Sequence, residues 1–258
     1  MRARAVCLLL GLCAILSLPM GARAETADGI VGRLRAMMEP VQDRTTRVTL
    51  HLQNASGGED VRSLRGFEKK TAEGWKVLWV FDSPADLAGT CFLTWTRRSE
   101  PDLLWAYFPA QARVRQLPKP GQQTRFQGND FSYEDMRLLA FDYEAQHRLE
   151  GEAACGDARC YILETTLPSG AFPYETLRSW LRTDTLLPER VEFRGQALMK
   201  VMRVLRAGRV SGIPTVLALE METPDQAHRT TVDFDQVAYN TGIDESFFST
   251  ARLSQMDQ

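Results

Sequence analysis

The sequence has 258 residues, with 31 basic and 33 acidic side chains, a formal net charge of −2 and 44% hydrophobic residues. That length suits one domain with a sizeable core. The charge balance excludes the basic footprint of a nucleic-acid binder, and no nucleic-acid partner is expected.

The first 24 residues read as an export signal rather than as part of the fold. Arg2 and Arg4 open it, Ala5 to Leu18 form an apolar run too short to remain as a spanning helix, and Ala22-Arg23-Ala24 is a small-x-small cleavage site. Cleavage is expected after Ala24, giving a signal peptide over 1–24 and one domain over 25–258. Cys13 follows Leu12 rather than small residues, which argues against a lipid anchor. Removing the three arginines of this segment leaves a mature charge of about −5. No later apolar run reaches membrane length, so an exported protein that does not span a bilayer is expected.

After the signal, Ile30, Val31, Leu34, Met37 and Met38 recur at helical spacing up to Pro40, predicting an amphipathic N-terminal helix. Arg44 to Gln53 alternates, with Val48, Leu50 and Leu52 on one face, and the Ser56-Gly57-Gly58 turn leads into a strand over Val61 to Lys70. Trp75 to Asp82 places Trp75, Val77, Trp79 and Phe81 on one face. Thr90 to Arg98 places Cys91, Leu93 and Trp95 on one side. Leu103 to Phe108 is apolar on both faces and must be covered on both.

Arg125 to Asp135 interrupts the strands. Gly128, Asn129 and Asp130 read as a turn, Ser132 as an N-cap, and Asp135 stands at capping-box spacing with Glu134 beside it in the first turn. A short helix ending near Ala140 follows. We read it as a plug over a curved sheet.

Strands are then expected over Phe141 to Glu150, Arg159 to Leu167, Glu175 to Asp184, Glu189 to Gln196, Leu198 to Leu205, Arg209 to Glu222 and Thr230 to Tyr239, with a helical turn over Asp244 to Phe248. Turns every eight to twelve residues argue an antiparallel meander closed into a barrel or partial barrel. Cys155 and Cys160 bracket a turn, and in an exported protein they read as a hairpin disulfide rather than a zinc site. Cys91 reads as a buried thiol.

Several segments together resemble the outer-membrane lipoprotein-sorting protein family, relatives of the LolA periplasmic carrier. They are Pro84-Ala85-Asp86-Leu87-Ala88-Gly89-Thr90 with Phe92 to Trp95, Trp105 to Ala110 with Arg113-Val114-Arg115, and Phe126 to Asp135. The similarity is strongest over Pro84 to Asp135 and belongs to a divergent branch that looks like a companion of lipid or hydrophobe export. It implies a mainly β periplasmic protein: a half-open antiparallel β-barrel with an N-terminal helix and a central helical plug, enclosing an apolar cavity. In the better understood members that cavity takes lipoprotein acyl chains, and for this chain lipid or lipoprotein acyl chains and an inner-membrane transporter are the expected partners.

For such a carrier, Trp79, Leu93, Trp95, Trp105 and Tyr107 are the candidate cavity face, and Phe131 and Tyr133 the lid. The same aromatic stripes could equally be ordinary core. Arg97, Arg98, Arg113, Arg115, Lys119 and Arg125, against Glu100 and Asp102, form a basic rim able to meet lipid phosphates or an acidic partner; a solvated rim is the plainer alternative.

No Gly-x-Ser-x-Gly elbow, phosphate loop or zinc-protease helix occurs. His51, His147 and His228 fall on different strands, and His228 reads as a solvent-edge position. Asp130, Glu134 and Asp135 are better explained by turn and capping roles than as an acid/base pair. The expectation is a carrier or accessory of acyl-chain traffic, without catalysis, cofactor or metal. The alternatives are an adaptor of an envelope transporter or assembly complex, and a carboxylate-based envelope hydrolase.

Overall fold

Among the described residues, thirteen strands pair into one antiparallel sheet. The structure is a computed structural model that describes residues 25–97, 100–118, 125–138, 145–170 and 172–256. The expected signal peptide, Arg98, Lys119, the end of the plug helix and the start of the strand expected at Phe141 lie outside the described residues.

The strands are β1 (Asp43–Gln53), β2 (Glu59–Lys70), β3 (Trp75–Ser83), β4 (Cys91–Trp95), β5 (Leu103–Phe108), β6 (Arg113–Gln116), β7 (Gln146–Cys155), β8 (Ala158–Thr166), β9 (Thr176–Arg182), β10 (Pro188–Arg194), β11 (Leu198–Val210), β12 (Ile213–Thr223) and β13 (His228–Tyr239). Their spatial order is β6-β5-β4-β3-β2-β1-β13-β12-β11-β10-β9-β8-β7. Pairing β1 with β13 joins the two halves, and β6 and β7 remain as unjoined edges, so the sheet is a half-open barrel. Among the described residues two α-helices accompany it, α1 (Ala27–Met38) and α2 (Tyr133–Leu138). No helix among the described residues is long and apolar enough to cross a membrane.

Two turns differ from the sequence reading. β11 runs unbroken to Val210 and turns on Ser211 and Gly212, both left-handed with φ of 50° and 80°. That backbone suits a tight hairpin between right-twisted strands, so the two segments expected to part near Leu205 are two full-length strands. Beyond the helical turn expected near Asp244, a second 3-10 turn runs from Thr250 to Gln255.

The inner face carries Val48, Leu50, Leu52, Leu64, Phe81, Phe92, Phe193, Met221 and Val232 in one buried cluster. Two lids cover it. α1 starts at Thr26, whose hydroxyl accepts from the Gly29 N–H at 3.1 Å, and it buries Ile30, Val31 and Leu34 against Tyr161, Leu163, Leu181 and Leu186. The insert from Arg125 to α2 covers the rest. On the outer face of β3 to β5, Phe248 and Leu253 of the C-terminal segment pack on Leu78, Val80, Cys91, Leu93 and Tyr107. The disulfide Cys155–Cys160 closes the β7–β8 hairpin.

Both edges are guarded. β6 is four residues long and carries Arg113 and Arg115 exposed. β7 carries exposed Arg148, Glu150 and Glu152, and a register shift at Gly151. Short, charged or bulged edges resist pairing with another chain.

Candidate functional site

The insert is fastened to the sheet by polar side chains and by aromatic rings. At its start, Gln127 and Gly128 both have left-handed backbone, φ 50° and 79°, which for a glutamine is strained. Arg62 of β2 donates to the Gln127 carbonyl, and Asn129 Oδ1 accepts from the Phe131 N–H at 2.8 Å. Asp130 is wholly buried. Its carboxylate accepts from Thr223 Oγ1 at 2.7 Å and Thr230 Oγ1 at 2.7 Å, and faces His228 Nδ1 at 2.6 Å and Arg125 at 3.5 Å. His228 is therefore not the solvent-edge residue its strand position suggested: its side chain is 16% exposed and turned to the plug. A strand pattern reveals the face but not the carboxylate that an insert a hundred residues away brings to it.

The capping box forms reciprocally, Ser132 N–H to Asp135 Oδ2 at 2.7 Å and Asp135 N–H to Ser132 Oγ at 3.2 Å. Asp135, also wholly buried, accepts in addition from the Tyr174 hydroxyl at 2.8 Å and from Lys200 Nζ of β11 at 2.7 Å. Burial, then the Asp135 charge and hydrogen bond, push the Tyr174 phenol far above its ordinary range; burial does the same for Tyr133. The carboxylates at 130 and 135 are thus anchors with their acceptor capacity in use. Both carboxylates are wholly buried, and of the groups they hold His228 is the one that also lines a surface cleft.

The rings of the insert pack on the sheet as well: Phe126 and Tyr133 meet Phe92 with ring centroids 4.8 and 5.2 Å apart, and Phe126 lies 5.5 Å from Phe81. The insert bridges the wings of the sheet, tied by rings to β3 and β4 and by polar contacts to β11, β12 and β13.

The residues expected to line one cavity face are divided by the structure. Trp79, Phe131 and Tyr133 belong to the inner cluster. Leu93, Trp95, Trp105 and Tyr107 lie on the outer face beneath the C-terminal segment, with Trp95 Nε1 donating to the Phe248 carbonyl at 3.2 Å. Their neighbours Phe92, Leu104 and Ala106 take the inner positions. Both sides of β4 and β5 are apolar, so alternation alone does not decide which points inward, and one residue of register exchanges the faces. Phe92 and Phe126 are inner residues that the sequence reading missed, while Phe81 shares the inner face with Trp79 as the alternation of its strand implied.

The expected rim is divided too. Arg97 is turned onto Glu100 and the Pro101 carbonyl, and Arg125 onto Asp130. Arg113 and Arg115, opposite Phe108 and Ala106 on the inner side, stay exposed. Two surface clefts flank the lids. One of about 260 Å³ lies beside the plug, lined by Leu52, Asp60, Arg62, Gly128 and His228. The other, of about 290 Å³, lies between α1 and β7, lined by Val31, Gly32, Arg35, Ala145 and His147.

An unclosed antiparallel sheet with an apolar inner face, an N-terminal helix and a central plug defines a LolA-like open β-barrel. The resemblance read from the sequence therefore holds at the level of fold. Residues 74–255 match the profile of a family described as "Uncharacterized protein", and the chain belongs to that family. A DUF1329 family protein from Desulfovibrio piger is 28% identical, with a TM-score of 0.82 over 87% of this chain and 96% of its own. A domain from Vibrio parahaemolyticus named for outer membrane lipoprotein sorting is 23% identical, with a TM-score of 0.82 over 87% of this chain and 97% of that one. A LolA superfamily protein from Nitrosomonas europaea is 16% identical, with a TM-score of 0.69 over 88% and 99%. No curated protein matches the sequence.

Proposed function

We propose that the protein is a periplasmic carrier or accessory that buries the acyl chain of a lipid or lipoprotein against the inner face of the half-barrel, without catalysis. Residues 1–24 direct export, and residues 25–258 form the carrier domain. The observation that carries this reading is a broad apolar inner face closed by an insert with strained backbone and polar fastenings. An acyl chain gains about 0.8 kcal/mol per buried CH₂, which offsets displacement of the aromatic rings of the plug. Buried ionic contacts of the Asp135–Lys200 kind add little net stability relative to apolar packing, so they locate the plug without locking it. Trp79, Phe81, Phe92, Phe131 and Tyr133 are the residues assigned to the chain. Arg113 and Arg115 are assigned to the phosphates of a lipid or to an acidic patch on an inner-membrane transporter.

The names of the Vibrio and Nitrosomonas proteins support the reading by analogy of fold. The adaptor reading has one observation of its own: the inner cluster is filled by the protein's own side chains. Native mass spectrometry with lipid extraction, on the mature protein purified from its own periplasm, separates the two. An acyl-bearing species retained by the protein supports the carrier. A bare mass that persists after exposure to acyl ligands refutes it and leaves the adaptor.

A further inference from the structure

Trp79 of β3, Phe234 of β13, Val204 of β11 and Val216 of β12 are only partly buried and pack against the main inner cluster. Three hydrogen-bond donors stand beside Trp79 on β1 to β3. Register places Thr46 opposite Gly66 and Gly66 opposite Trp79, while Arg44, two residues from Thr46, lies opposite Glu68. Arg44 and Thr46 therefore share the inner face with Trp79.

Gly66 makes this arrangement possible. A Cβ there would sit 2.4 Å from Thr46 Oγ1 and 2.4 Å from Trp79 Cζ3, so only glycine lets the indole lie against the backbone of β2 beside the threonine. Trp79 Nε1, Thr46 Oγ1 and Arg44 Nε are all buried, and none has a hydrogen-bond partner among the described residues. Thr46 itself is 6% exposed. An orphaned buried donor forfeits the hydration it had in the unfolded chain, and three on one patch of three adjacent strands call for a common acceptor.

We propose that this patch is a polar subsite that takes the ester or amide carbonyl of an acyl ligand whose hydrocarbon packs on these partly buried apolar side chains. The indole N–H is donor only, and the guanidinium Nε–H likewise, so the site reads oxygen acceptors. The positive charge of Arg44 is already matched by the carboxylate of Glu68, so the patch offers donors without net charge. A neutral carbonyl fits it; a free carboxylate or a phosphate meets Glu68 as a like charge. The ligand class is therefore an O-acyl or N-acyl compound rather than a free fatty acid. This inference rests on the carrier reading and sharpens its cargo.

Calorimetric titration of the mature protein with 1-monopalmitoylglycerol, its ether analogue 1-O-hexadecylglycerol and palmitate, all below their micellar concentrations, tests it. The ester should bind about tenfold tighter than the ether, the scale of one well-made hydrogen bond to a site otherwise left unpaired. Trp79→Phe and Thr46→Val, each checked for retained circular dichroism and melting, should each bring the ester-to-ether ratio toward one. Equal binding of ester and ether by the wild type overturns the subsite while leaving the carrier intact. A ratio unchanged in both variants overturns the residue assignment, and a preference for palmitate overturns the neutral-acceptor claim. Failure of all three lipids to bind refutes subsite and carrier together.

Discussion

Replacing Lys200 by methionine isolates the anchor at the helical end of the plug. Asp135 is wholly buried, and its partners are Lys200 Nζ at 2.7 Å, the Tyr174 hydroxyl at 2.8 Å and the Ser132 N–H at 2.7 Å. Lys200 supplies the one opposite charge among these three, and its side chain is 12% exposed. Methionine keeps an unbranched side chain of similar length at this position and leaves the carboxylate buried without its countercharge. Breaking a buried pair from one side costs about 3–5 kcal/mol; the partial exposure of Lys200 places this case at about 3 kcal/mol. For a chain of this size that lowers the melting temperature by about 6–12 °C.

The assay is urea unfolding at neutral pH with the disulfide kept oxidised, followed by tryptophan fluorescence. The companion variant is Lys200→Met with Asp135→Asn, which removes the stranded charge while the side-chain oxygen still accepts from Tyr174 or the Ser132 N–H. It should recover more than half of the loss. A single variant within about 0.5 kcal/mol of wild type, the ordinary scatter of a surface change, refutes the claim that this pair anchors the plug. A double variant no better than the single one refutes the stranded charge as the cause.

Further outcomes follow from other contacts. Gly66→Ala drives a methyl into Thr46 and Trp79 and should destabilise by about 1–3 kcal/mol, the range for overpacking, read from the urea midpoint. Phe248→Ala, at a ring 1% exposed, should cost about 3–5 kcal/mol and raise the exposure of Trp95, read by acrylamide quenching. Asp43 is buried, which alone would raise its pKa, but the Thr241 hydroxyl and the N–H groups of Thr241, Gly242 and Ile243 outweigh burial and hold it below the ordinary carboxylate value. With the folded pKa depressed, its stabilisation is present above the unfolded value of about 3.9 and is lost as pH falls through the folded value. Asp43→Asn should flatten the acid limb of a stability–pH curve below about pH 4. Reduction of Cys155–Cys160, which spans a separation of 5 residues, should lower stability by about 2 kcal/mol on the chain-entropy estimate, measured by unfolding with and without reductant.

The elements that sequence made legible are those whose two faces differ. β1 alternates strictly, and its inner residues Val48, Leu50 and Leu52 are the ones expected; the Ser132–Asp135 capping box likewise declares itself within four residues. β4 and β5 carry large apolar groups on both sides, so the pattern showed that both faces are covered but not by what. The cover on the outer side is a C-terminal segment whose Phe247 and Phe248 gave no sign of reaching Trp95. For His228, the missing signal was the partner: Asp130 lies 98 residues away in sequence, and a short-range pattern does not carry that separation. The orphaned donors at Arg44, Thr46 and Trp79 are invisible in sequence, since an unmet hydrogen bond is a property of three neighbouring strands and not of any one.

β6 and β7 remain as edges of the sheet, and the two wings are tied across the inner face by side chains of the insert and not by a backbone ladder. A ladder parts only by breaking its hydrogen bonds in series along a strand. A seam made of three rings, two carboxylates and their partners parts piece by piece, and each piece can be replaced by an incoming molecule that supplies the same surface. The spacing of the wings across the open side of the sheet thus rests on side-chain contacts, while every strand keeps its backbone neighbours. The girth of the protein, measured by small-angle scattering, then becomes a direct gauge of whether the seam is fastened.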